Sequence, residues 1–214
     1  MIRTAFSSLV PRGLLVQRTA ARSFSTELGN GVFEKIACIG TGKMAQAVIE
    51  PMIKQGVQPA DRFAIYDASP KTMEEVAAKH GCLVADSIPD LVDGADLVIC
   101  AVKPQNLTQR FFEELRKGEP NENAIFLSVI AGKTISVFEE GGFHKIVRSM
   151  PNTPAQIGQG MTVWSCTPNI TTEERKKIRT VLSSCGKSVR EVVRTRDMSV
   201  TPHLLRCSTL DVRG

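Results

Sequence analysis

The chain has no apolar run of the roughly 18 residues that a helix needs to cross a bilayer, so no helical membrane span is read from it and a soluble protein is expected. It has no Cys-x-x-Cys pair: Cys38, Cys82, Cys100, Cys166, Cys185 and Cys207 are scattered, as are His80, His144 and His203. That spacing argues against zinc ligation and a disulfide framework, and suits small buried thiols in a reducing compartment; no metal site is expected. There is no internal repeat and no low-complexity block. Residues 1 to 26 contain no acid, Glu27 being the first. This last absence accounts for most of the basic excess. Of 27 lysines and arginines, Arg3, Arg12, Arg18 and Arg22 lie in that segment, leaving 23 against 22 acids, a nearly neutral body with no case for a nucleic-acid partner.

What the first 26 residues do contain is spaced arginine, Ser7, Ser8, Ser23 and Ser25, and apolar patches such as Leu14-Leu15-Val16. This is the composition of a mitochondrial presequence, with a cut expected near Phe24 or Ser25 after Arg22 and a mature protein in the mitochondrial matrix. A merely disordered basic segment is the alternative.

The body is organised around Lys35 to Ala45. The apolar run Ile36 to Ile39 suits an interior strand, Gly40 and Gly42 follow without a spacer, and a helical pattern then runs from Lys43 to about Lys54. In such a strand, turn and helix the first glycine permits the turn and the second lets a pyrophosphate approach the backbone. The small Ala45 permits close helix packing, and the helix aims free N–H groups at the same spot. A dinucleotide is the reading favoured over a plain turn.

Arg62 to Tyr66 reads as the next strand, ending at Asp67, with Ser69-Pro70 opening a helix to about Lys79. An acid there can accept hydrogen bonds from both ribose hydroxyls and repel a 2′-phosphate, which favours NAD. Ser69 and Lys71 could instead meet a phosphate, and Asp67 could be a turn acid or N-cap. Cys82 to Val84 is a short strand and Ile88 to Val92 a short helix. Asp96 to Val102 is apolar enough for a strand covered on both faces at the sheet centre, and Lys103-Pro104 starts a helix through Arg116. Further strands are expected at Ala124 to Ile130, Lys145 to Ser149, Met161 to Trp164 and Ser188 to Val193, with helices at Thr134 to Glu140 and Thr172 to Cys185. Met150-Pro151-Asn152-Thr153-Pro154 reads as a stiff loop at a strand's carboxyl end, either a binding wall or a connector. From residue 194 to 214 arginines and Pro202 interrupt the pattern, and an irregular tail is expected.

Ile39-Gly40-Thr41-Gly42-Lys43-Met44-Ala45, Ala101-Val102-Lys103-Pro104, Ser128-Val129-Ile130-Ala131-Gly132 and Met150-Pro151-Asn152-Thr153-Pro154, in this order and spacing, resemble pyrroline-5-carboxylate reductase over about residues 35 to 193. The resemblance implies an α/β fold with a Rossmann-like doubly wound sheet of about eight strands at 34 to 193, between the presequence and the tail. It implies NAD(P)H as cofactor and reduction of the C=N bond of 1-pyrroline-5-carboxylate to L-proline. It places Ile39, Gly40, Thr41, Gly42, Lys43 and Met44 on the pyrophosphate and Ser69 by the adenosine ribose. Ala101, Val102, Lys103, Pro104, Val129, Ile130 and Ala131 would border the nicotinamide half, and Asn152, Thr153 and Pro154 would lie near the substrate. No catalytic acid is assigned, Lys103 included.

Two departures from the family pattern stand out. The helical half that carries substrate contacts and the interlocked dimer is not legible after Val193, so a cofactor-binding chain with impaired turnover is the alternative. Near Ile88 the chain offers Ser87 where the family commonly has an asparagine at the cofactor.

Overall fold

The computed structural model describes residues 31–151 and 160–192. The expectations for residues 1–26, for Asn152, Thr153 and Pro154, and for 194–214 lie outside the described residues. Eight strands form one sheet: β1 (Ile36–Ile39), β2 (Phe63–Tyr66), β3 (Leu83–Val84), β4 (Leu97–Cys100), β5 (Ile125–Ser128), β6 (Lys145–Pro151), β7 (Gly160–Cys166) and β8 (Gly186–Glu191). Their order is β3-β2-β1-β4-β5-β6-β7-β8, so β1 is interior and β4 lies at the centre, as the apolar runs predicted. Pairing is parallel from β3 to β6, antiparallel between β6 and β7, and parallel again between β7 and β8.

Among the described residues six α-helices cover the sheet: α1 (Lys43–Lys54), α2 (Pro70–His80), α3 (Ile88–Val92), α4 (Gln109–Lys117), α5 (Ile135–Glu139) and α6 (Thr172–Ser184). Strand alternation sorts the core into two layers. Ile36 and Cys38 of β1 pack with Val48, Ile49 and Met52 of α1, Val76 of α2 and Ile178, Val181 and Leu182 of α6. Ala37 and Ile39 face the other way, with Leu91 of α3, Phe111, Phe112 and Leu115 of α4 and Phe138 of α5. Burial on both faces explains why β1, β4 and β5 are buried throughout and read as continuous apolar runs. The result is the expected Rossmann-like, doubly wound sheet. No helix among the described residues is long and apolar enough to cross a membrane.

Two elements differ from expectation. The helix predicted from Pro104 is a 3-10 turn, Pro104–Asn106, followed by a separate helix. Thr108 starts that helix by accepting the Phe111 N–H at 3.2 Å, which phases Phe111, Phe112 and Leu115 toward the sheet. β6 also runs past Ser149, because β7 pairs with Met150 and Pro151, so these two residues are strand and not loop.

Candidate functional site

The parallel register brings the candidate loops to one edge. Ile39 aligns with Tyr66 and Cys100, Cys100 with Ser128, and Ser128 with Arg148. Hence Gly40, Asp67, Ala101, Val129 and Ser149 all follow at one level, on the carboxyl side where open α/β sheets take ligands.

The glycine turn is built by its neighbours. Gly40 donates its N–H to the Tyr66 carbonyl at 2.8 Å, and Ala101 donates to the Ile39 carbonyl at 2.9 Å. Gly40 has φ +94°, and a Cβ on it would lie 2.9 Å from the Ala101 carbonyl oxygen, so backbone space and conformation both demand glycine. Gly42 is not demanded by the chain itself. It is the N-cap of α1 with extended backbone, no side chain caps the helix, and a Cβ there would meet nothing within 4 Å. The first N–H groups of α1 therefore open onto free space with the positive end of the helix dipole behind them, a cradle that fits a pyrophosphate. Ala45 is fully buried against the sheet, as its small size predicted.

Asp67 is engaged otherwise than expected. One carboxylate oxygen, Oδ2, accepts the Thr41 N–H at 2.7 Å and the Thr41 hydroxyl at 3.0 Å, and Oδ1 accepts the Ser69 N–H at 2.9 Å. Gln46, whose part was not read from the sequence, donates its Nε2 to the Thr41 carbonyl at 2.9 Å. Its polar side chain on the inner half of α1 was the available signal. Ser69 is exposed, and its hydroxyl shares a hydrogen bond with Thr72 Oγ1 at 3.0 Å, with Lys71 exposed beside it. Ser87 caps α3 and donates its hydroxyl to Asp90 Oδ2 at 2.6 Å, which occupies it locally.

On the other half of the edge, Ala101 and Val102 are half-buried, while Lys103 and Pro104 are exposed. Val129 and Ile130 anchor their loop in opposite core layers, leaving the Ala131 side chain exposed. Two buried serines hold this loop. Ser128 Oγ accepts the Ile130 N–H at 3.2 Å, and Ser149 donates its hydroxyl to the Ser128 carbonyl at 3.3 Å, tying the end of β5 to β6. Ser149 was missed in the sequence because a serine in a strand carries no periodic signal. Lys43, Lys71, Lys103 and Lys133 each follow a different strand of this edge, giving it a positive rim suited to an anionic ligand.

Beneath the turn the floor is apolar and uncharged: burial pushes the Cys100 thiol up to about 12 and raises Cys38 further. Among the described residues no group of three or more histidines, cysteines and acids could hold a metal. A cavity of about 600 Å³, lined by residues including Phe33, Asp96 and Lys177, opens at the opposite edge, by the amino ends of the strands.

Residues 35–132 match the family described as NADP oxidoreductase, coenzyme F420-dependent. A pyrroline-5-carboxylate reductase of Arabidopsis thaliana is 31% identical over 154 residues, 72% of this chain and 55% of that protein. The solved structure of 1-pyrroline-5-carboxylate reductase from Streptococcus pyogenes superposes with a TM-score of 0.63 at 30% identity, over 76% of this chain and 59% of that one. The chain is a relative of the pyrroline-5-carboxylate reductases. The pyrroline carboxylate reductase of Plasmodium falciparum, solved with NADP bound, shares the fold at 24% identity and a TM-score of 0.61, over 74% of this chain and 57% of that one. The chain thus spans a little over half the length of the relatives it matches, and the motifs from Ile39 to Gly132 lie within the family match.

Proposed function

We propose that this chain binds NAD(P)H across the amino end of α1 and serves the reduction of 1-pyrroline-5-carboxylate to L-proline. The observation that carries the reading is the convergence at one sheet edge of an uncapped helix terminus with the loops after β4 and β5 and the end of β6. The relatives' names supply the substrate class.

When bound, the reduced nicotinamide supplies a hydride to the imine carbon, while a proton goes to the ring nitrogen, leaving NAD(P)+ and proline. The chain's own part is binding and orientation. Lys43 and Met44 hold the pyrophosphate with their backbone N–H groups, Ile39, Gly40, Thr41 and Gly42 form the turn that shapes its site, and Ser69 faces the adenosine side. Ala101, Val102, Lys103, Pro104, Val129, Ile130 and Ala131 border the nicotinamide half, with Ser128 and Ser149 fixing their loop. The expectation that Asn152, Thr153 and Pro154 serve the substrate falls outside the described residues. Rigid anchoring of these loops favours a fixed ring-to-ring approach, which hydride transfer requires.

The spaced arginines and absent acids of residues 1 to 26 support mitochondrial import and a matrix location. Transport of a fluorescent protein fused to that segment tests this, and a diffuse signal would refute it.

A second reading is that the chain binds dinucleotide and turns over little; the three reductases compared above are matched over 55 to 59% of their own length. Proline formation measured alongside NADH and NADPH affinity separates the two: turnover supports the first reading, tight binding without turnover the second, and no binding defeats both.

A further inference from the structure

The Thr41–Asp67 pair bears on how the cofactor end is organised. Thr41 is fully buried, and every polar atom it has is engaged: its N–H and hydroxyl go to Asp67 Oδ2, and its carbonyl accepts from Gln46 Nε2. Asp67 in turn accepts three hydrogen bonds, the third from the Ser69 N–H. A carboxylate offers about four acceptor positions. Gripping both hydroxyls of a ribose needs two of them, and with these bonds in place only about one is left.

We propose that Asp67 is a positioning residue that latches the glycine turn, not the ribose ligand its place after β2 suggests. One carboxylate holds Thr41, between the two glycines, to the segment that opens α2. The latch uses the Thr41 N–H and leaves the N–H groups of Lys43 and Met44, at the start of α1, facing the open cradle. It therefore shapes the pyrophosphate site, which NADH and NADPH share, and contributes little to telling the two apart. What the turn holds rests on the dinucleotide reading above; the latch is a property of the chain alone.

Asp67→Ala removes all three bonds at once. In Asp67→Asn the amide NH₂ must face a backbone N–H, that of Thr41 or that of Ser69, so one arm breaks and the other can stay. Thr41→Val removes only the hydroxyl arm at nearly constant shape, and Thr41→Ser restores it. Two measurements are made on the full chain: hydrogen exchange at the Thr41 amide without ligand, and dissociation constants for NADH and NADPH. In Asp67→Ala, protection at Thr41 falls ~10-fold, and both dinucleotides bind ~10-fold more weakly, their ratio staying within ~2-fold. Thr41→Val shifts protection the same way and Thr41→Ser retains it.

A ratio moved ~10-fold or more toward NADPH in Asp67→Asn overturns the proposal, since that is the signature of a lost ribose contact. Unchanged protection in Asp67→Ala also overturns it. If the unaltered chain binds neither dinucleotide, the proposed function falls, and exchange at Thr41 alone then upholds or overturns the latch.

Discussion

Gly40 and Ala101 approach so closely that no β-carbon fits between them: the ideal Cβ position on Gly40 is 2.9 Å from the Ala101 carbonyl oxygen and 3.0 Å from its carbon. The obstructing atoms are backbone at the ends of neighbouring central strands, which cannot swing aside as a long side chain could. The positive φ of Gly40 adds roughly 1–2 kcal/mol of strain for any L side chain. Gly40→Ala is expected to weaken NADPH binding by ~10-fold or more and to lower the unfolding midpoint. Gly42→Ala, whose added methyl meets nothing in the free chain, is expected to weaken binding while leaving the midpoint within ~2 °C. Titration calorimetry and thermal unfolding check the pair together.

Gly118 is demanded by packing alone. Its backbone is ordinary and extended, but a Cβ would fall 2.1 Å from Val92 Cγ2 and 3.1 Å from the Pro89 carbonyl oxygen. Val92 is fully buried and has no room to turn away. Gly118→Ala is expected to destabilise the chain by about 1–3 kcal/mol, with part of the loss recovered on adding Val92→Ala. Denaturant unfolding followed by the fluorescence of Trp164, the single tryptophan and fully buried, provides the measurement.

α6 is tied to the sheet by a shared carboxylate. Glu174 accepts the Lys145 ammonium at 2.6 Å and completes a capping box with Thr171, and Lys145 also donates to Asn123 Oδ1 at 2.9 Å. Both side chains of the ion pair are less than one-fifth exposed, at 16% and 18%. Lys145→Met removes the partner of a largely buried charge and is expected to cost about 1–3 kcal/mol. Thr171→Ala, which loses only the cap, is expected to cost about 1 kcal/mol. Chemical denaturation of both variants tests the ranking; an equal or reversed order would show that the cap, not the ion pair, holds α6.

Glu50 joins α1 to α2, and the hydrogen bonds from Lys54 and then Lys79 hold its carboxyl down at about 2, against an ordinary value near 4.5. Folding lowers this pKa, so the contribution is complete above about pH 4.5 and is lost as pH falls toward 2. Water screens the pair, and the expected size is under about 1 kcal/mol. Glu50→Gln should therefore be slightly less stable than the unaltered chain near neutrality and indistinguishable from it at the acid end. His80, 3.9 Å from the same carboxylate, is pushed down chiefly by burial. Its protonation also destabilises the fold in acid, so the difference between the two proteins is the quantity to follow.

Much of this was legible in the residues. The runs of β1, β4 and β5 are apolar because helices cover both faces, and that composition alone placed them inside. Gly40 and Gly42, set between such a run and a helical pattern, marked the turn. Where reading failed, a non-local partner decided the outcome. Pro151 seemed a loop residue until β7 paired Thr162 opposite it. Thr108 is a local helix start, yet the preceding Pro104 drew the predicted boundary to itself. The Thr41 contact on the Asp67 carboxylate, at a place where an acid often meets a ribose, was visible only in the folded chain.

The sequence by itself determined the order of strands and helices and the glycine corner, because periodicity and backbone freedom are local properties. The arrangement of the eight strands, the common edge reached by four separated loops, and the pairing of Asp67 with Thr41 were decided by the tertiary structure. Those relations depend on hydrogen bonds between residues separated along the chain, by 26 positions in the Thr41–Asp67 contact, and a short window does not contain both partners.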